Sequence, residues 1–253
     1  MMKFLIVLSF SWISWAQAQS VEKHHSGDTI QWKNYILNNN QWGQFKIKKG
    51  TYTQTIFTSD SIVGWRWTVP QKSYGVLGYP MLSLGVSPWG DLSQLPAPNF
   101  YKNLKNLQEF EVEYDTDLLT TKGKYNLAFD FWLHDQPKVG FESITAEIMI
   151  WEDYQKFKPF GKKKGILFTS DGNYEIYIGD LYKKELQKGW KYIAFVRQQK
   201  RTKGKLNLMP FIHYILKQPD MNKAIYLSSF EFGTEVLNAS GQLKLFNYDV
   251  KIK

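Results

Sequence analysis

The feature that most constrains this chain is a period-two alternation of apolar and polar residues, repeated in short segments along most of its length. Successive side chains of an extended strand point to opposite faces, so alternation of this kind builds sheets with one packed face. The pattern runs over Gln44 to Ile47, Tyr52 to Phe57, Phe110 to Tyr114, Tyr125 to Leu133, Ser143 to Trp151, Tyr174 to Ile178, Tyr192 to Arg197, Leu227 to Glu235 and Gly241 to Ile252. Gly, Asn, Asp and Lys turns separate these segments. Many short strands and few helices predict an all-β fold, a sandwich of antiparallel sheets. One segment departs from the period: from Asn207 to Lys217, Leu208, Phe211, Ile212, Ile215 and Leu216 recur at helical spacing. Pro210 suits a first helical turn and Gln218-Pro219 closes it, so a single amphipathic helix is expected against the sandwich. Ser87 to Asn99, with three prolines, reads as a long loop.

At 253 residues the chain has the length of one large β domain. Its start reads differently, because Lys3 precedes an apolar run from Phe4 to Trp15 that ends in Ala16-Gln17-Ala18. A positive residue, a short apolar stretch and a small-x-small site form the pattern of a secretory signal. Residues 1–18 are therefore expected to be a signal peptide and residues 19–253 a single domain, secreted to the extracellular space or periplasm. No later segment approaches the ~18 apolar residues of a membrane helix, so no membrane association is expected after cleavage.

Cysteine is absent, which removes disulfides, thiolate metal sites and a cysteine nucleophile. The formal charge of +9 is spread along the chain, with only Lys162-Lys163-Lys164 and Lys200-Arg201 as short runs. That distribution fits a solvated surface and argues against a nucleic-acid interface. The four histidines, His24, His25, His134 and His213, lack metal-ligand spacing, and Gly161 to Gly165 is a Lys-filled turn unlike a phosphate loop. No metal and no cofactor are expected, and the chain is expected to be a monomer. Asn238-Ala239-Ser240 fits a glycosylation sequon.

Aromatic residues make up 17% of the chain, including ten Trp and fifteen Tyr. Such rings fill cores, and they also line sugar clefts by stacking on pyranose faces. Strand parity begins to separate the two. In Ser143 to Trp151, Ala146, Ile148 and Ile150 form a core face, while Thr145, Glu147, Met149 and Trp151 share the other. A carboxylate among a thioether and an indole suits a sugar site. In Tyr125 to Leu133, Leu127, Phe129, Phe131 and Leu133 face the core and leave Asn126, Ala128, Asp130 and Trp132 opposite. A third segment, Phe230-Glu231-Phe232-Gly233-Thr234-Glu235, ends in a carboxylate after a Gly that permits close approach or a bulge. Trp65 and Trp67 share one face and could both enter a cleft or both enter the core; Trp190, after Gly189, reads as core. If the acidic strands align in one sheet, two carboxylates could flank a glycosidic bond.

The segments Asn38-Asn39-Asn40-Gln41-Trp42-Gly43, Gly64-Trp65-Arg66-Trp67, Tyr79-Pro80 with Pro88-Trp89-Gly90, Asn126-Leu127-Ala128-Phe129-Asp130, Glu147-Ile148-Met149-Ile150-Trp151 and Gly233-Thr234-Glu235 follow one another in an order that resembles family 12 glycoside hydrolases. The resemblance spans nearly the whole chain after residue 18. It implies a β-jelly-roll of two curved antiparallel sheets with a concave substrate cleft, and a retaining endo-acting mechanism on β-1,4-glucans such as cellulose, mixed-linkage β-glucan or xyloglucan. By position, Glu147 resembles the nucleophile, Glu235 the general acid/base, and Asp130 the acidic neighbour that hydrogen-bonds the nucleophile. Asn40 and Trp42 resemble residues holding sugars on the non-reducing side, and Met149 the residue under the reaction centre. Trp65, Trp67, Trp132 and Trp151 complete the substrate-binding candidates. Val236 stands where a Pro is frequent. The rival reading of the same sandwich is a non-catalytic, lectin-like carbohydrate-binding module, which would need the Trp platform without two opposed acids.

Overall fold

The computed structural model describes residues 20–69, 73, 75–89, 101–137, 140–221 and 225–253. The signal peptide expected over 1–18 and most of the loop expected from Ser87 to Asn99 lie outside the described residues. In chain order the strands are β1 (Val21–Lys23), β2 (Thr29–Trp32), β3 (Tyr35–Asn38), β4 (Thr53–Ser59), β5 (Ile62–Thr68), β6 (Met81–Gly85), β7 (Lys102–Asn103) and β8 (Phe110–Thr120). They continue with β9 (Tyr125–His134), β10 (Ile144–Gln155), β11 (Lys162–Thr169), β12 (Gly172–Lys183), β13 (Lys188–Arg197), β14 (Lys203–Asn207), β15 (Tyr226–Val236) and β16 (Gly241–Ile252). Among the described residues one α-helix, α1 (Met209–Leu216), interrupts them.

The strands form two sheets, as the alternation predicts. The smaller runs β1-β4-β5-β16-β8-β14, and the larger runs β11-β12-β13-β10-β9-β15-β6-β3-β2. The pairings are antiparallel except between β10 and β13, which run parallel. Neighbours distant in sequence pair across both sheets, the signature of a β-jelly-roll.

Between the sheets lies the main core. Phe129 of β9 stacks on Phe230 and Phe232 of β15, with centroids 5.3 and 4.7 Å apart. From the smaller sheet, Tyr114 of β8 meets Phe129 edge-on at 5.3 Å. The inward set Leu127, Phe129, Phe131 and Leu133 and the set Ala146, Ile148 and Ile150 belong to this core, as parity requires. Helix α1 seals one end: Phe211 packs edge-on against Tyr174 at 4.9 Å and Phe195 at 5.0 Å. Pro210 sits in its first turn, where a missing N–H costs nothing.

Trp65 and Trp67 are in the core and not in a cleft. They lie on β5 of the smaller sheet, whose apolar face can only meet the inner face of the larger one. Both indoles are buried; Trp65 Nε1 donates to Thr234 Oγ1 at 3.2 Å and Trp67 Nε1 to the Ala239 carbonyl at 2.7 Å. A second departure is Gln44 to Ile47, expected as a strand and found as a 3-10 turn over Gln44–Lys46. Backbone bonds from Lys46 to Gly43 and from Ile47 to Gln44 close locally and make the turn.

One buried charge also lies between the layers. Glu152 is fully buried yet accepts from Tyr114 Oη at 2.5 Å, Tyr174 Oη at 2.6 Å and Arg201 Nε, with Arg197 Nη1 3.9 Å away. Two guanidiniums and two phenols give this carboxylate the company a buried ion requires.

Candidate functional site

The outer face of the larger sheet carries what parity leaves over from the core. On β10 it presents Glu147, Met149 and Trp151; on β9, Asn126, Ala128, Asp130 and Trp132; on β15, Ser229, Glu231, Gly233 and Glu235; on β13, Trp190, Tyr192, Ala194 and Val196. The register aligns them: Glu147 stands opposite Trp132 and Tyr192, Met149 opposite Asp130, Asp130 opposite Glu231, and Asn126 opposite Glu235. Glu147, Glu235 and Asp130 are therefore brought to one face, where Glu147 and Asp130 are diagonal neighbours.

Glu147 and Glu235 are held by different partners. Trp190 Nε1 donates to Glu147 Oε2 at 2.9 Å. The Asn126 amide donates to Glu235 Oε2, and its Oδ1 accepts from the Glu235 N–H at 3.0 Å, so one side chain fixes both ends of that residue. Burial pushes Glu147 up to about 7, against the pull of the Trp190 bond and the Lys183 charge. Burial pushes Glu235 further, to about 8, and the Glu147 charge adds to it while Asn126 opposes it. Asp130 lies well above the usual carboxylate range, first by burial and then by the charges of Glu147, Glu231 and Glu235. Burial lifts both carboxyls, and the Glu147 charge further opposes ionisation of Glu235.

Gly233 explains the local path of β15. A Cβ there would fall 2.6 Å from the Pro80 carbonyl and 2.8 Å from the Tyr79 ring. The expected close approach is present, and it lets Tyr79 lie under the strand and donate to the Ala128 carbonyl at 3.0 Å.

The aromatic candidates divide. Trp42 is 44% exposed, with Lys46 Nζ 4.1 Å and Lys183 Nζ 5.5 Å from its ring centroid. Lys183 is also the cation whose charge acts on Glu147, which ties Trp42 to the site. Asn40 is partly exposed, and its carbonyl accepts from Tyr79 N at 2.8 Å and Gln54 Nε2 at 3.2 Å. Met149 is buried and takes the Tyr192 hydroxyl at 3.3 Å from its sulfur. Trp132 and Trp151 are on the outer face but are not open platforms. Trp151 is fully buried, with Phe157 stacked on it at 5.0 Å. Trp132 packs edge-on against Trp89 at 5.4 Å and sits 5.9 Å from Trp190. The open ring of that trio is Trp89, 45% exposed.

Some contacts of the site lie beyond what single strands reveal. Trp190, expected in the core, is buried in a small cluster with Trp132 and Ile144, and its bond to Glu147 depends on the parallel pairing of β13 with β10, which no local pattern reveals. Lys183, and the pairing of the outward-facing Asn126 with Glu235, needed the same long-range information. Glu231 did not: alternation from Glu235 already puts it on the same face.

The sequence matches the family described as Glycosyl hydrolase family 12 over residues 33–253. Endoglucanase S of Pectobacterium parmentieri is 30% identical over 226 residues, covering 87% of this chain and 82% of that protein. Among solved structures, a family 12 xyloglucanase from Bacillus licheniformis superposes with a TM-score of 0.81 at 28% identity, covering 92% of this chain and all of that one. Endoglucanase cel12A from Rhodothermus marinus shares the fold at a TM-score of 0.74 and 20% identity, over 92% of this chain and 99% of its own. With two jelly-roll sheets, a carboxylate-bearing outer face and a family match that extends to the last residue, this chain belongs to glycosyl hydrolase family 12 and is a glycoside hydrolase.

Proposed function

We propose that the protein is a secreted, retaining endo-β-1,4-glucanase that cleaves internal bonds in cellulose, mixed-linkage β-glucan or xyloglucan. The observation that carries this reading is the pair Glu147 and Glu235: one outer face, separate clamps, and the Glu147 charge opposing ionisation of Glu235. In the first step, ionised Glu147 attacks the anomeric carbon while protonated Glu235 gives its proton to the leaving oxygen. In the second, the Glu235 carboxylate takes a proton from water, and the resulting hydroxide displaces Glu147 and restores both groups. Asp130 tunes the protonation of Glu147 from its diagonal position. Trp42 and Asn40 take sugars on the non-reducing side, with the exposed Trp89 as a further stacking ring. The relatives named endoglucanase and xyloglucanase support β-1,4-glucans as the substrate class. Export rests on the N-terminal pattern, with residues 1–18 as signal and 19–253 as the catalytic domain.

Reducing-sugar release and viscosity on a panel of soluble glucans test the reading. Rapid viscosity loss with few new ends is the expected result for internal cleavage. Proton NMR of the first-formed anomer should show the β configuration, and an α product at first turnover excludes the double displacement.

A further inference from the structure

Glu231 is a buried carboxylate that the two-step mechanism does not use. It is 2% exposed, on the outer face of β15, directly opposite Asp130 of β9, itself 6% exposed. Asp130 in turn is the diagonal neighbour of Glu147 on β10, so three carboxyls cross three adjacent strands. Directly opposed residues of an antiparallel pair have Cβ atoms about 4.5–5.5 Å apart, within reach of carboxyl contact. Asp130 Oδ1 and Glu231 Oε1 are both buried without a hydrogen-bond partner, and Trp132 Nε1 and Ser229 Oγ, equally unpartnered, are near Glu231. An ionised oxygen buried without a donor is costly, and two of them on directly opposed residues are costlier still. A proton held between the two carboxyls relieves both.

We propose that Glu231 is a positioning residue whose carboxyl shares a proton with Asp130 across the β9–β15 pair and so sets the pH at which Glu147 ionises. The inference rests on Glu147 acting as the nucleophile. The groups around Glu231 are Asp130 and Trp132 from β9, Glu147 from β10, Ser229 on its own strand and Ser87 beyond β6; the phenols of Tyr79 and Tyr248 also feel its charge. Burial lifts Glu231 to about 7; Ser87 and Ser229 oppose this, and the Glu147 charge adds to it. The proton-sharing pair carries one negative charge near Glu147. Burial, the largest cause of the raised Asp130 pKa, keeps Asp130 protonated when Glu231 is replaced by Gln, so the substitution removes that charge and lets Glu147 ionise at lower pH. Glu231→Asp keeps the charge.

The test is kcat/KM against pH for wild type, Glu231→Gln and Glu231→Asp on a soluble glucan. The acid limb of Glu231→Gln should move down by about half to one pH unit, with the alkaline limb fixed and Glu231→Asp near wild type. Equal losses at every pH in both variants, or an unmoved acid limb, overturn the proposal. A carboxyl carbon-13 NMR titration of wild-type protein gives a second readout without mutation. Asp130 and Glu231 should titrate in linked steps, and independent single-step curves overturn the sharing. Full activity in Glu147→Gln would instead sink the underlying nucleophile assignment, a result separate from any shift at Glu231.

Discussion

Glu147 and Glu235 have the same side chain and sit on the same face, yet their surroundings assign them different protons. Trp190 and the Lys183 charge favour ionised Glu147, whereas Glu235 has the Asn126 amide and feels the Glu147 charge against it. The pH dependence of kcat/KM should therefore be bell-shaped, rising as Glu147 loses its proton near 7 and falling as Glu235 loses its own near 8. Replacing Glu147 by Gln should lower turnover by at least about a thousandfold with folding intact, read by circular dichroism alongside the assay. Trp190→Phe removes the bond that favours the charged form of Glu147. Its acid limb should move to higher pH, the direction opposite to that expected for Glu231→Gln, and an unchanged limb removes Trp190 from the site's electrostatics.

At the scale of elements, what alternation could decide was legible. The inward and outward faces of β9 and β10 follow from a period of two, and α1 from a period of 3.6. What it could not decide was which sheet a strand joins. Trp65 and Trp67 have the right rings for a sugar cleft, but β5 belongs to the smaller sheet, so the same parity buries them. Trp190 is buried as expected, yet the parallel β10–β13 pairing also brings its indole N–H to Glu147. The short edge strands carried too few residues for alternation to stand out. Two element-level predictions follow from packing. Gly233→Ala drives a Cβ into Tyr79 and the Pro80 carbonyl, displacing the end of β15 that carries Glu235; about 1–3 kcal/mol of stability and a drop in kcat are expected. Glu152→Gln strips the charge that Arg197 and Arg201 share between the sheets, and urea unfolding should report a loss of about 3–5 kcal/mol.

Across the whole molecule, the outer face holds a charge deficit that the fold tolerates for the sake of the reaction. Glu147, Glu231, Glu235 and Asp130 all hold protons more tightly when folded than in an unfolded chain. As pH rises the unfolded chain ionises first, near 4, so these groups withdraw stability between about pH 4 and pH 8 and impose no penalty below that window. The melting temperature of Glu231→Gln relative to wild type should accordingly rise by about 2–4 °C between pH 4 and pH 8, measured by calorimetry. The signal that Glu147 stands apart from ordinary exposed acids was present in its strand; the signal that Glu235 meets it required the three-strand register of β10, β9 and β15. The most direct measurement of that meeting is covalent trapping. Incubation with a 2-deoxy-2-fluoro-β-cellobioside bearing a good leaving group should add one cellobiosyl unit to the protein, and peptide mass mapping should place it on Glu147. A label on any other carboxyl, or a fully active enzyme that forms no adduct and releases inverted product, contradicts the account.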